Sequence, residues 1–298
     1  MKKKENNPNY NLLRLVACFL VVLHHVIAFY ELKLNGNFPI LRIVSSTCVP
    51  LFIILSGALL VFKEENSLYF YKKRLKAVLF PFLFWILLYT IYRLLSNLLN
   101  QNEGYINILQ NILGIGGWPY YHLWYIYLII YLYFITPFLR KIIYVFPKKK
   151  QVIISTILFF IFFTISFYND GFLWSKYISY YLAGGIISKN FYKTNYLILL
   201  AIVFLTFLGV YYFNFMAIKS FLFSILCFLI IIKTPRLKSV NFVIPFTLGI
   251  YLVHPIILKT VTKVVSYNNL LLTTLITFVF SLFFIVLMKK NKFLKKVV

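Results

Sequence analysis

Apolar runs long enough to cross a bilayer recur along almost the whole chain, and no other feature limits its possible folds as strongly. A transmembrane helix needs about 20 consecutive, mostly apolar residues to span a hydrocarbon core of about 30 Å. Charged and turn-rich breaks separate ten such runs, at about 10–30, 40–62, 75–99, 121–140, 151–168, 172–188, 196–213, 216–232, 240–260 and 268–288. The pattern predicts an all-α integral membrane protein of about ten transmembrane helices, with residues 1–298 forming a single transmembrane domain.

The composition excludes several classes of protein. Hydrophobic residues make up 62% of the 298 residues and charged residues only 12%, whereas a soluble domain has about 25% charged residues. A net charge of +25 would suit a nucleic-acid binder, but such a protein needs a water-exposed basic face, and here the lysines lie in short breaks between apolar runs. Cysteine occurs three times, without the spacing of a metal site. We therefore expect neither a nucleic-acid partner nor a metal cofactor.

The basic residues indicate how the chain is oriented in the membrane. Cytoplasmic loops of membrane proteins are enriched in Lys and Arg. With ten spans and the N-terminus inside, most of the 31 Lys and Arg residues lie in inner segments: the two tails and the breaks at 63–76 and 140–150 among them. A miscounted span would scramble this alternation. The distribution predicts that both termini are cytoplasmic.

The first predicted span carries ionisable side chains, which are costly inside a membrane and usually face a cavity or a partner. Arg14 and His25 are separated by about three helical turns, so they lie on one face of the helix, about 16 Å apart along its axis. His24 points about 100° away. This stripe, the helix face that carries Arg14 and His25, suits a site with a cation near the cytoplasm and an imidazole further out. The structural alternative is that Arg14 extends to the inner headgroups and His25 bonds a neighbouring helix.

Two further histidines are predicted at a similar depth, in the outer half of the membrane. His122 opens the fourth span, which enters from outside, and His254 lies about two-thirds along the ninth. Pro255 follows His254, and because proline has no N–H, the carbonyl of Tyr251 loses its usual helical partner. A kinked helix that carries a histidine is a reasonable wall for a polar cavity.

Acidic residues are absent from the predicted spans. The six Asp and Glu residues all fall in predicted loops or tails, Glu31 among them in the first outer loop. A proton-coupled transporter usually carries buried carboxylates, so this distribution argues against that class.

Five sequence elements, in order, resemble the acyltransferase-3 family of bacterial integral membrane acyltransferases. The first helix has an Arg followed by ten residues and a His, and the second has a Phe-x-x-x-Ser-Gly element. A basic inner segment then precedes a proline, and His-Leu-Trp and Gly-Ile-Tyr-Leu-Val-His-Pro elements follow. In this sequence the elements lie at Arg14–His25, Phe52–Gly57, Tyr71–Pro81, His122–Trp124 and Gly249–Pro255.

The resemblance implies a function and assigns roles to residues. Members transfer acyl groups, mostly acetyl, from cytoplasmic acyl-CoA to hydroxyls of exported or surface glycans, as multi-pass proteins of the bacterial plasma membrane. His25 matches the essential histidine and Arg14 its paired basic residue. Arg74 matches the first arginine of an Arg-x-x-Arg element that binds the donor. The sequence departs at the second position, which is Ala77, and Lys73 is a nearby substitute.

We therefore expect a membrane O-acyltransferase that uses acyl-CoA, acetyl-CoA first of all, and a glycan or lipid-linked saccharide acceptor. His25 would be a general base on the acceptor hydroxyl or would itself accept the acyl group. The other residues expected to bind substrate are Arg74, Lys73, Ser56, His122, Trp124, Tyr251 and His254. The alternative is an exporter or flippase of a lipid-linked glycan or small molecule, which would consume no acyl-CoA.

Overall fold

The computed structural model describes residues 8–100, 105–113, 117–168, 173–190, 216–234, 238–264 and 269–298, and within these ranges the chain is helical without any strand. The predicted all-α class is therefore confirmed. The α-helices are α1 (Pro8–Leu34), α2 (Pro39–Ser46), α3 (Cys48–Leu60), α4 (Ser67–Asn100), α5 (Tyr105–Ile112), α6 (Trp124–Tyr144), α7 (Gln151–Tyr168), α8 (Leu173–Asn190), α9 (Met216–Lys233), α10 (Thr247–Val264) and α11 (Leu270–Lys290). Short 3₁₀ helices lie at Lys238–Phe242, Ile244–Phe246 and Leu294–Lys296.

Among the described residues, six helical segments are long and apolar enough to cross a membrane. They are Asn9–Lys33, Pro39–Leu60, Ser67–Leu98, Trp124–Tyr144, Val240–Val264 and Leu270–Lys290. They correspond to the first four and the last two predicted spans, and they make the chain a multi-pass membrane protein. The predicted span at 196–213 lies outside the described residues. The count of about ten and the cytoplasmic termini stay predictions.

The chain divides into two compact units. The first unit comprises Met1–Lys63 and Arg140–Ile285, and the second comprises Glu64–Leu139 and Val286–Val298. Each unit therefore joins segments that are distant in the sequence. That residues 1–298 act as a single transmembrane domain stays a prediction.

Helix α1 is central to the first unit, where it packs against α2, α3, α9 and α10. Its first turn also closes the end of α9. The Asn9 side-chain amide donates hydrogen bonds to the carbonyl oxygens of Ile232, at 2.6 Å, and Thr234, at 2.7 Å. The last carbonyls of a helix have no partner within it, so Asn9 satisfies groups that would otherwise be costly to bury.

Helices α3 and α8 cross with their backbones in direct contact. A Cβ atom added at Gly57 would overlap the carbonyl oxygen of Tyr181, and one added at Gly184 would overlap the carbonyl oxygen of Ile54. Small residues at such crossings let membrane helices approach closely, which increases their van der Waals contact. The two glycines therefore set the distance between α3 and α8.

The second predicted span is two helices rather than the one that was expected over 40–62. The chain turns at Thr47, whose backbone N–H lies 3.3 Å and whose hydroxyl lies 2.6 Å from the carbonyl oxygen of Val44. Pro50 has no N–H to offer the carbonyl of Ser46, and a proline is tolerated in the first turn of a helix but not in its interior. Thus α2 ends before Thr47 and α3 begins after it.

In the second unit, α4 begins earlier than the sequence predicted. The Asn66 side-chain oxygen accepts hydrogen bonds from the amides of Leu68, at 2.9 Å, and Tyr69, at 3.2 Å, which is the geometry of a helix N-cap. The break predicted at 63–76, which we expected to be a loop between two spans, is therefore helical from Ser67 onward and includes the basic cluster. A helix of 34 residues is about 51 Å long, so it can cross an apolar core of about 30 Å and still hold charged turns outside it.

Side-chain to backbone hydrogen bonds connect the elements of the second unit. The Tyr71 hydroxyl donates to the carbonyl of Phe134 at 2.8 Å, which joins α4 to α6. The Trp85 indole N–H donates to the carbonyl of Val297 at 2.9 Å, which fixes the C-terminal segment against α4.

Arg140 connects α6 to the end of α3 within the first unit. Its side chain is buried, and its Nε and Nη2 atoms donate to the carbonyl oxygen of Leu60 at 2.9 and 2.6 Å. Leu60 is the last residue of α3, where a cation also interacts favourably with the helix dipole.

We expect Arg140→Met to lower the free energy of unfolding by about 2 kcal/mol, the contribution of a hydrogen bond to a charged group. The matched control is Lys141→Met, because Lys141 is the exposed neighbour of Arg140. Denaturation of the detergent-solubilised variants measures both. Equal stability of the two variants would contradict a structural role for the Arg140 bond.

Candidate active site

Helix α1 carries Arg14, His24 and His25, and it runs without a break through the first predicted span. Its helical geometry places Arg14 and His25 on one face, about 16 Å apart along the axis. Both side chains are half-buried. The stripe predicted from the spacing is therefore present in the structure.

The structure brings His25 of α1 against His254 of α10. The ring centroids are 5.1 Å apart and the ring planes are inclined by 28°, which is a stacked arrangement. The His254 side chain is fully buried at 0% exposure, whereas His25 is half-buried. One imidazole of the pair therefore belongs to the core, and the other keeps part of its surface outside it.

The ring of His254 is held by the carbonyl that Pro255 leaves without a helical partner. The Nδ1 atom of His254 lies 2.7 Å from the carbonyl oxygen of Tyr251. A carbonyl oxygen only accepts hydrogen bonds, so Nδ1 carries the proton in this bond. The sequence predicted that the Tyr251 carbonyl would lose its usual partner, and the structure identifies the replacement. The Tyr251 ring itself is buried, with its centroid 6.0 Å from that of His254.

His24 is turned toward α2. Its Nδ1 atom lies 3.1 Å from the hydroxyl oxygen of Ser45, and that hydroxyl donates to the carbonyl of Arg42 at 3.2 Å. Because Ser45 has used its one proton, it accepts from His24, which therefore also carries its proton on Nδ1. The ring of His24 meets His25 edge to face, at 5.6 Å between centroids and 77° between planes. His24 thus occupies the side of His25 away from the Arg14 stripe.

Among the residues that the structure describes, one carboxylate lies inside a helix, contrary to the expectation from the sequence. Glu31 was expected in an outer loop, but it lies near the end of α1 and forms an ion pair with Arg42 of α2. Its side chain is 20% exposed and that of Arg42 is 45% exposed. The predicted helix ended too early because the charged residue was taken as its end.

Ser56 lies on α3, half-buried, and its hydroxyl donates to the carbonyl of Phe52 at 2.8 Å. This is the bond that a serine commonly makes within a helix. Its neighbour Gly57 is the residue at the crossing with α8. A role for Ser56 in substrate binding stays a prediction.

The second unit holds the basic residues predicted to bind the donor. On α4, Lys72, Lys73 and Lys76 are exposed, whereas Arg74 is half-buried on another face and its Nε atom is fully covered. The ammonium group of Lys73 lies 5.5 Å from the centre of the Tyr69 ring. Arg74 is thus the member of the cluster that is directed into the unit.

His122 and Trp124 are in the second unit as well. His122 lies in the turn before α6 and is 1% exposed, and Trp124 is the first residue of α6 and half-buried. The His122 ring packs edge to face against Tyr89, at 5.1 Å, and Tyr120, at 5.7 Å, and these two tyrosines stack at 4.5 Å. Burial raises the pKa of Tyr120, so its hydroxyl stays neutral. His122 therefore belongs to an aromatic cluster.

The structure also identifies polar residues that the sequence analysis missed. The hydroxyl of Tyr30 on α1 lies 2.9 Å from that of Thr273 on α11, and both side chains are buried. Thr273 begins a row of buried hydroxyls along α11. Their recurrence every four residues was a signal in the sequence, but Thr and Ser are common enough in membrane helices to be overlooked. The row consists of Thr273, Thr277 and Ser281.

The two units divide the predicted site residues between them. The first unit contains Arg14, His25, Ser56, Tyr251 and His254, and the second contains Arg74, Lys73, His122 and Trp124. Within the first unit the structure brings together His25, His254 and Tyr251.

Comparison with known proteins agrees with the resemblance drawn from the five sequence elements. The sequence model of the acyltransferase-3 family, described as an acyltransferase domain, matches residues 7–290. The match covers nearly the whole chain and includes every predicted site residue. No match was found among the curated proteins or the solved structures.

Proposed function

This chain belongs to the acyltransferase-3 family, and we propose that it transfers an acyl group from cytoplasmic acyl-CoA to a hydroxyl of an exported or cell-surface glycan. Acetyl is the first candidate for the acyl group, and a lipid-linked saccharide is one form the acceptor could take. We place the enzyme in the bacterial plasma membrane, with about ten spans and both termini in the cytoplasm.

The proposal depends mainly on where the structure places the His25 imidazole. It is half-buried in a helix that crosses the membrane, it stacks on His254, and it shares a helix face with Arg14. Ionisable groups are rare at such positions and usually serve a function. A histidine that is neither fully buried nor in open solvent is suited to proton transfer with a substrate.

In the reaction that we propose, His25 takes the proton of the acceptor hydroxyl while the oxygen attacks the thioester carbonyl carbon. The carbon–sulfur bond then breaks, and His25 passes its proton to the leaving sulfur, so that CoA is released as the free thiol. In the second form of the mechanism, a nitrogen of His25 attacks the thioester carbonyl carbon and the carbon–sulfur bond breaks, so that CoA leaves as the thiol with the imidazole proton. The acceptor hydroxyl then attacks the acyl-imidazole, the carbon–nitrogen bond breaks, and the hydroxyl proton returns to His25. Both forms need His25 at the reacting carbonyl.

The basic residues supply the charge that the donor needs. Coenzyme A carries phosphates, and guanidinium groups bind phosphate through paired hydrogen bonds. We assign this role to Arg74, with Lys73 as a weaker electrostatic partner because its ammonium group is exposed. Arg14 shares a helix face with His25, and we assign it the role of the basic residue paired with that histidine.

The remaining site residues are proposed to contact the substrates or to hold His25 in place. Tyr251 and His254 line the neighbourhood of His25, and Ser56 can still accept a hydrogen bond while it donates to the Phe52 carbonyl. His122 and Trp124 belong to an aromatic segment, which suits the apolar faces of sugar rings.

The test is acyl-CoA turnover by membranes that contain the protein. We expect them to release free CoA thiol from acetyl-CoA in the presence of a glycan acceptor, and membranes without the protein not to do so. A parallel reaction with succinyl-CoA measures the preference for the acyl group. Surface glycans of a strain lacking the protein should lose alkali-labile acetate and regain it on complementation. Export of a glycan without any thiol release would support the transporter alternative instead.

A further inference from the structure

Pro255 removes the usual hydrogen-bond donor of one backbone carbonyl in α10. Within a helix, the carbonyl of Tyr251 would accept the N–H of the residue four positions later, and at that position Pro255 has none. The helix nevertheless continues through the proline to Val264. An unsatisfied carbonyl is costly inside a membrane, so the Tyr251 carbonyl requires another donor.

The donor is the side chain of the residue before the proline. His254 places Nδ1 at 2.7 Å from the Tyr251 oxygen. This bond fixes the imidazole in two ways: it selects the tautomer with the proton on Nδ1, and it orients the ring plane relative to the helix. The ring is fully buried, so its neighbours also restrict its motion.

The fixed ring faces His25. The two centroids are 5.1 Å apart at an inclination of 28°, so His254 presents its face rather than its edge. Two other contacts keep α10 in place: the Cys18 thiol of α1 lies 3.5 Å from the carbonyl of Thr247, and Gly249 permits close contact with Ile285 of α11. The surface on which His25 rests therefore belongs to a well-fixed helix.

We infer that His254 is a positioning residue for His25, fixed by the carbonyl that Pro255 releases. The inference rests on the proposed function, in which His25 performs the chemistry. The His254 ring, held by its bond to the Tyr251 carbonyl, keeps the stacked His25 ring in one orientation. A catalytic group that is displaced by about 1 Å loses much of its effect, so the fixed face acts on the rate.

Three variants separate positioning from packing. His254→Phe keeps a ring of similar shape but removes the bond to Tyr251. Pro255→Ala keeps His254 but supplies an N–H that competes with it for the Tyr251 carbonyl. In the double variant His254→Phe/Pro255→Ala, that N–H takes the place of the His254 donor at the Tyr251 carbonyl, so the stability lost in the single Phe variant returns.

We expect His254→Phe to lower kcat at least tenfold, with KM for acyl-CoA changed less than twofold. Pro255→Ala should lower kcat as well, by a smaller factor. The decisive variant is the double one: its thermal midpoint should return toward that of wild type while its kcat stays low. A purely structural His254 would make kcat recover together with the midpoint, and that result would overturn the inference, as would a kcat for His254→Phe within twofold of wild type.

A second measurement does not depend on acyl transfer. Diethyl pyrocarbonate modifies exposed imidazoles, and mass spectrometry of the peptide distinguishes His25 from His24. In the double variant the His25 ring is no longer held by a fixed His254 ring, so its modification rate should rise at least threefold. An unchanged rate would contradict the positioning role. If wild type turns over no acyl-CoA while this rate still rises, the proposed function fails and the positioning of His25 stands.

Discussion

Replacement of His25 by alanine is expected to lower acyl transfer at least about 100-fold, the lower limit for removal of a general acid–base group. The loss should appear in kcat, because in the proposed reaction the imidazole acts on the acceptor hydroxyl or the acyl group rather than on the CoA phosphates. The measurement is the release of CoA thiol by membranes that contain equal amounts of folded protein. Alkali-labile acetate on surface glycans gives the same comparison in cells.

The matched control is His24→Ala. This neighbouring imidazole has the same size and lies on the same helix, but its Nδ1 atom bonds Ser45 of α2. We expect the variant to retain most of the transfer activity, with a modest loss of stability because the Ser45 hydroxyl loses a partner. Equal losses in the two variants would indicate damage to α1 rather than to the chemistry. Equal retention would remove His25 from the mechanism.

Much of the first helix was predictable because one helix carries all the relevant residues. Arg14 and His25 share a face by spacing alone, and the structure contains the uninterrupted helix that this requires. The effect of Pro255 was predictable for the same reason: a proline removes a specific donor from a specific carbonyl. These inferences use only local geometry.

The pairing of His25 with His254 was not predictable in the same way. The two residues lie on α1 and α10, at opposite ends of the sequence, and their contact depends on how these helices pack. A similar depth in the membrane was all that the sequence could indicate. The rotation of each helix about its axis decides whether two residues of equal depth meet.

The errors at the helix ends have a common physical origin. Charged residues were expected to mark the helix boundaries, yet the basic cluster after Asn66 is helical, and so is the turn that contains Glu31. Long polar side chains extend away from a helix into water or headgroups, so a charge does not by itself end one. The turn at Thr47 was missed for the opposite reason, because it contains no charge.

Gly57→Ala is expected to lower the stability of the first unit by about 3 kcal/mol, the upper part of the range for overpacked sites. The added methyl group would overlap the backbone carbonyl of Tyr181, which cannot move without α8. Helix propensity alone predicts the opposite sign, because alanine is favoured over glycine by about 1 kcal/mol within a helix. The sign of the change therefore decides which effect controls this position.

Gly117→Ala is the control, because the methyl group added there meets the end of the Asn111 side chain, which can rotate away. We expect that variant to unfold at nearly the wild-type temperature in detergent, and Gly57→Ala to unfold well below it. The kcat per folded molecule of Gly57→Ala should remain close to that of wild type, since Gly57 contributes to the approach of two helices and has no side chain to offer a substrate. A stabilised Gly57→Ala protein would contradict the close crossing of α3 and α8. A stable protein with a much lower kcat would instead place the Ser56–Gly57 element in the chemistry.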